Sequence, residues 1–266
     1  MAPSPLPSPP WGARGQVVTL VLASTSPRRY QILALLGLPF LMVPPAYQEL
    51  GARRAVPLPE QEALDRARQK AASLVSRFPD AIILGSDTLL NLDGHLICKP
   101  SSPNDARAIL RRLRGRTHDV ITAMCLLESP SPSPLEGEGM GATRHPSPGA
   151  PIAPPIAMGH GEGRGEGASD KRFEHVETAR VTMRDFTETE LDAYLATGDS
   201  LDKAGAYAIQ GAGRDLVASL DGDYLAVVGL PLKAVAEGLA KLGCPVTDVD
   251  RLYRERNFLN WRTFGP

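Results

Sequence analysis

Residues 129–170 carry almost no large apolar side chain, and they separate two strand-like runs at 117–128 and 172–186. A segment so poor in apolar surface and so rich in Pro, Gly and Ser cannot offset the entropy of ordering it, so it reads as disordered. Its place between two apolar runs is that of a long hairpin tip, where extra length costs little free energy. Whatever the chain folds into must therefore close across this segment and bring 117–128 beside 172–186. Cutting the segment out is expected to leave the fold intact. The Pro/Ser start at residues 1–15 has the same character, which leaves a domain from 16 to 250 and a tail at 251–266. That tail has no motif, but Tyr253, Phe258 and Trp261 offer surface for packing or for a contact.

Outside these stretches short apolar runs alternate with amphipathic ones. Residues 17–23 form a β-branched apolar run that leads through Ser24, Thr25 and Ser26 into Pro27, which suits the first helical position behind a Ser cap. Ile32, Leu33, Leu35 and Leu36 continue as a helical stripe that Gly37 can end. A second helix is expected around 63–75 and a buried strand at 81–84. Residues 89–92 and 95–98, joined by Asp93-Gly94, read as a tight hairpin. Ser102-Pro103 opens a helix that Gly115 closes, and Thr187 to Glu190 form a capping box. Strand-like runs at 216–220 and 224–228 and a helix over 231–242 complete the pattern. The fold class is α/β, with flanking helices on a sheet that cannot be purely parallel.

With 42% hydrophobic residues among 266, the chain can bury a sizeable core as one α/β domain or two small ones. Its net charge of −1 supplies no global basic field, so nucleic acid is not an expected partner and an anionic ligand must meet local cations. Cys98, Cys125 and Cys244 have no CxxC spacing and read as reduced thiols. No apolar run reaches the length of a membrane helix, and the start lacks the charge and apolar core of a signal peptide, so a cytoplasmic protein is expected.

Four constellations can carry chemistry. At 24–29 a strand ends in Ser24-Thr25-Ser26-Pro27-Arg28-Arg29 and a helix begins. Free N–H groups, the positive dipole end and two guanidiniums favour an anion there, as in a polyphosphate site. An ordinary capped helix with two solvated arginines fits the local pattern equally well. Next, Gly85-Ser86-Asp87-Thr88 follows the apolar run AIIL. A carboxylate at the end of a buried strand can hold a metal or act as base, while a turn aspartate is the plainer alternative. Because an aspartate with its ordinary pKa of about 4 is a feeble base, Asp87 is assigned a metal-linked role. Lys99-Pro100 is the third group. The fourth is DKAGAYAIQG at 202–211, where Lys203 adds charge and the Gln210 amide can pair with a base edge, although a structural glycine turn fits too.

Taken together and in this order, LASTSPRR at 22–29, GSDT at 85–88, CKP at 98–100 and DKAGAYAIQG resemble the Maf family of nucleotide pyrophosphatases. RLRGRTHDVIT at 112–122 and GDYLAVVGLPL at 222–232 are similar as well. The resemblance covers about residues 18–243 apart from the insertion. It implies an elongated, two-lobed Maf/inosine-triphosphatase-like fold with a central cleft, and metal-dependent hydrolysis of a nucleoside triphosphate to monophosphate and pyrophosphate. It also implies that Asp87 is the catalytic acid residue, that Arg28, Thr88 and Gln210 bear on substrate choice, and that Lys70 and Lys99 lie near the phosphates with Ser24, Ser26, Arg28, Arg29 and Lys203.

Lys203, Tyr207 and Gln210 follow the family branch that favours dTTP and UTP over the one that favours 7-methyl-GTP. Glu49 falls where the family has a pair of acidic residues, one of them replaced here by Gln48, so the expected metal ligands are Asp87 and Glu49 for Mg²⁺ or Mn²⁺. A homodimer is in keeping with the family, with no interface pattern visible. Two other readings stand beside the dTTP/UTP one: the same chemistry on 7-methyl-GTP or another modified nucleotide, and a nucleotide-binding regulator of septum formation.

Overall fold

The computed structural model describes residues 18–47, 58–130, 171–201, 203–244, 246 and 248–255. The chain runs β1 (Thr19–Ala23), α1 (Pro27–Ala34), β2 (Leu41–Val43), α2 (Pro59–Ala72), β3 (Ala81–Leu92), β4 (His95–Ile97), α3 (Pro103–Leu113), β5 (Thr117–Glu128) and β6 (Arg172–Met183). It continues with α4 (Glu188–Ala196), β7 (Val217–Asp221), α5 (Tyr224–Val228), α6 (Leu232–Lys241) and α7 (Val249–Glu255). One mixed sheet results, in the order β2-β1-β3-β5-β6-β7, with β4 paired to β3. β1 is parallel to β2 and β3, and every other pairing is antiparallel.

Side-chain alternation along β3 sorts the core into two layers. Ile82, Leu84, Leu90 and Leu92 join the larger cluster with α1, α3, α5 and α6, while Ala81, Ile83 and Leu89 join a smaller one built on α2. The expected caps are in place: Ser26 and Ser102 accept backbone N–H bonds at the starts of α1 and α3, and Thr187 and Glu190 form the capping box of α4. The Asp93-Gly94 turn has both residues at positive φ, 52° and 79°, as a two-residue hairpin requires.

Three expectations change. Residues 81–84 and 89–92 are not separate strands, because β3 runs unbroken through Gly85, Ser86, Asp87 and Thr88. The polar side chains are tolerated because the sheet satisfies them: Ser86 Oγ donates to the carbonyls of Ala123 and Gly229, 2.9 and 3.1 Å away. Asp87 therefore sits within a strand; it is β1 that stops, at Ala23 opposite Gly85, and leaves the crevice beyond. Residues 224–228 are a helix, not a strand, started by Asp223 capping Leu225 N–H and ended by Gly229 at φ 131°. A short apolar run cannot be assigned by periodicity alone. Finally Ser129, at the edge of the insertion, is buried and bonds to Ala81 and Phe78.

The expected disorder at residues 1–15 falls outside the described residues, as does nearly all of 129–170. The strands flanking the insertion pair from Thr117↔Thr182 to Leu127↔Arg172, and Glu128 N–H donates to Lys171 O at 3.0 Å. α7 crosses residue 250, and its Tyr253 is buried with its hydroxyl on Asp223 Oδ2 at 2.8 Å. Phe258 and Trp261 lie outside the described residues. Among the described residues no helix is long and apolar enough to cross a membrane.

Gly85 sets the distance between α2 and the sheet. A Cβ there would stand 2.1 Å from Ala67 O and 2.8 Å from Ala71 N, both backbone atoms of α2. Gly85→Ala is thus expected to cost upwards of about 3 kcal/mol. Gly37, at φ +68° with nothing near its Cβ position, should cost only about 1 kcal/mol as alanine. Urea unfolding of the two variants tests this, and equal midpoints would refute the close-approach argument. Replacing 131–170 by a turn of about four residues should leave the thermal midpoint within a few degrees of wild type.

Candidate active site

The crevice past the end of β1 opens into a cleft of about 1020 Å³. Among the described residues its walls bring together Ser24, Ser26, Arg28, Arg29, Lys70, Asp87, Thr88, Lys99, Lys203 and Gln210. Every described residue named from the sequence as a candidate site residue is in this one place. Glu49 and Gln48 lie outside the described residues. Among the described residues six cations line the cleft, Arg28, Arg29, Arg66, Lys70, Lys99 and Lys203, against two carboxylates, Asp87 and Asp199. A nearly neutral chain has concentrated positive charge at one site, as an anionic ligand requires.

Asp87 and Thr88 point to opposite faces of β3 and enter the cleft from two sides. On the α2 side Lys70 Nζ donates to Asp87 Oδ1 at 2.5 Å, both residues being buried. Arg66, one helical turn earlier, has its guanidinium 3.9 Å from Asp87 Oδ2 and donates to Glu62 Oε1 at 2.8 Å. Asp87 Oδ2 is buried with no hydrogen-bond partner. Removing one member of such a pair costs about 3–5 kcal/mol, because the other is left as an uncompensated buried charge. Sequence reading missed Arg66, although its spacing of four from Lys70 puts both on one helix face.

On the other face Arg29 serves the scaffold. Its Nε donates to Gly229 O at 2.9 Å and a terminal nitrogen donates to Thr88 Oγ1 at 3.2 Å. The Ser24 and Ser26 hydroxyls accept from the N–H groups of Ser26 and Arg29 and so shape the turn, each keeping its own O–H to donate. Arg28 and Lys99 make no hydrogen bond or ion pair with described residues, which leaves their charge for a ligand. Lys203 Nζ rests on Asp199 O at 2.6 Å.

Gln210 lies by the Tyr224 hydroxyl, at the end of a loop with Gly205 at φ 74° and Ala206 at φ 58°. That loop is anchored by Tyr207, whose hydroxyl lies 2.7 Å from His118 Nε2 beneath the cleft. Burial pushes the Tyr207 phenol up and the His118 imidazole down to about 4.

These features define a cationic cleft that holds, among the described residues, one buried carboxylate. The family model described as Maf-like protein matches residues 19–143 and 157–242, so the chain belongs to the Maf family. It is 41% identical over 227 residues to a dTTP/UTP pyrophosphatase of Moorella thermoacetica, covering 85% of this chain and 96% of that protein. Proteins of the same name from Dictyoglomus thermophilum and Bacillus cereus are 35% and 31% identical, each over at least 84% of this chain and 96% of the relative.

His118 gives the site a pH signature. In the unfolded chain its imidazole gains a proton near pH 6.5, in the folded protein only near 4. Between those values the unfolded state binds more protons, so this contribution is complete above about pH 6.5 and is lost as pH falls towards 4. At about 1.4 kcal/mol per pH unit, wild type should lose some 2 kcal/mol more than His118→Gln between pH 7 and 5. Parallel pH–stability curves from urea unfolding would contradict this.

Proposed function

We propose that this chain hydrolyses dTTP and UTP to the monophosphate and pyrophosphate with the help of a divalent cation. The observation that carries the reading is Asp87, among the described residues the one buried carboxylate of the cleft, with one oxygen held by Lys70 and the other lacking a hydrogen bond beside Arg66, set among cations. In this reading Asp87 orients a water and takes its proton as the new bond to the α-phosphorus forms. The bond from that phosphorus to the bridging oxygen breaks, and its electron pair leaves on pyrophosphate. Arg28, Lys99 and Lys203 stabilise the departing charge.

Mg²⁺ or Mn²⁺ fits the donor set in a limited sense. Such cations are bound by one or two carboxylates together with substrate phosphates, and Asp87 Oδ2 is a buried oxygen lacking a hydrogen bond. Among the described residues no group of three His, Cys, Asp or Glu forms a cage, and Glu49 is the further carboxylate the sequence offers. When bound, the cation would neutralise charge on the triphosphate oxygens. Gln210 and the names of the relatives support a pyrimidine substrate, since one amide can pair with the O4 and N3–H edge of uracil or thymine.

Pyrophosphate release from dTTP, UTP, CTP, GTP and 7-methyl-GTP, with Mg²⁺ or Mn²⁺, tests the reading. dTTP and UTP should be turned over fastest, and Asp87→Asn should lower kcat by about 10²–10⁴. Wild-type turnover in Asp87→Asn would remove Asp87 from the chemistry, and faster cleavage of 7-methyl-GTP would overturn the substrate assignment.

A further inference from the structure

Thr122 is fully buried on β5, directly across from Thr88 in the β3–β5 ladder, and is not part of the cleft wall. Its hydroxyl lies 3.0 Å from Thr88 Oγ1 and 2.8 Å from the carbonyl of Ala226 in α5. Arg29 donates to the same Thr88 oxygen while its Nε holds Gly229 O, just past the end of α5. The Thr88 hydroxyl, which does line the cleft, is therefore bracketed from two directions by groups fixed to one short helix.

A hydroxyl has three hydrogen-bonding positions, one donor and two lone pairs, and a free one rotates to suit either a donor or an acceptor. Arg29 takes one lone pair of Thr88 Oγ1, and Thr122 takes a second position. Since Thr122 donates in its bond to Thr88, the position left to face a ligand is the Thr88 O–H, a donor of fixed direction. A group restricted in this way can tell a donor from an acceptor, since the wrong partner leaves a buried polar group unpaired.

We infer that Thr122 is a specificity-determining positioning residue, which acts on nucleotide choice through Thr88 without touching the substrate. The inference rests on the proposed triphosphate hydrolysis and on a role of Thr88 in substrate choice. Removing the Thr122 hydroxyl frees the Thr88 rotor, so nucleotides that exchange a donor for an acceptor at one position should be discriminated less well.

The test compares kcat and KM for UTP, CTP and dUTP in wild type, Thr122→Val, Thr122→Ser, Thr88→Val and the Thr88→Val/Thr122→Val double variant. UTP against CTP probes the base, and UTP against dUTP the ribose. In Thr122→Val at least one kcat/KM ratio should move about tenfold towards unity, Thr122→Ser should restore the wild-type ratio, and Thr122→Val should add nothing in the Thr88→Val background. Because Val leaves the Ala226 carbonyl unpaired, Thr122→Cys, of similar volume and with a weaker donor, serves as a second variant and should shift the ratio in the same direction. An equal loss on all three nucleotides would mean a purely structural role and overturn the inference. A ratio shift that persists unchanged in the Thr88→Val background would overturn the route through Thr88 while leaving the hydrolysis reading intact. If wild type released pyrophosphate from none of the three, the functional reading itself would fail and the inference with it.

Discussion

The site depends on how closely α2 lies against β3. Two ionisable side chains, Lys70 and Asp87, are buried against each other at 2.5 Å, and that contact is possible because Gly85 presents no Cβ to the backbone of the helix. Alanines at 63, 67 and 71 make the rest of the seam equally shallow. With the ammonium on one carboxylate oxygen, the other is left buried without a hydrogen bond, 3.9 Å from the Arg66 guanidinium. Burial of this pair is not a cheap way to gain stability, since desolvation consumes most of the attraction between the charges. Its persistence in a seam of small residues makes sense as chemistry: it fixes the orientation of one carboxylate inside a cationic site.

Much of this was legible in the sequence because the signals are local. Ser26, Ser102 and Thr187 act as caps wherever they precede a helical stripe, and Asp93-Gly94 can only be a turn between two strands. The site residues were legible because their motifs are contiguous. What escaped were features decided by tertiary contacts. GSDT looked like the end of a strand because its polar side chains find their partners on β5 and α5, distant in sequence. β2 is three residues long, too short to show a period, and exists by pairing with β1. Arg29, adjacent to Arg28 and chemically identical, differs only in which way α1 turns it.

That last difference shows how the fold divides labour within a dipeptide. One guanidinium is left open to a ligand while its neighbour ties three elements together around Thr88 and Gly229. Composition and charge cannot separate the two. The same holds for the threonines of β3 and β5, of which one reaches the cleft and the other stands behind it.

The hydrogen bond between Glu128 and Lys171 means that the chain leaves the sheet and returns to it at a single point. The protein is in effect two polypeptides laid side by side, and the cleft is shared between them. The first supplies Arg28, Lys70, Asp87, Thr88 and Lys99, and the second supplies Lys203 and Gln210. In the proposed reading each stretch thus supplies both charge for the phosphates and a group that bears on nucleotide choice. Neither stretch carries a complete site, so a lineage changing its substrate would have to keep the register of β5 on β6 that holds the two together.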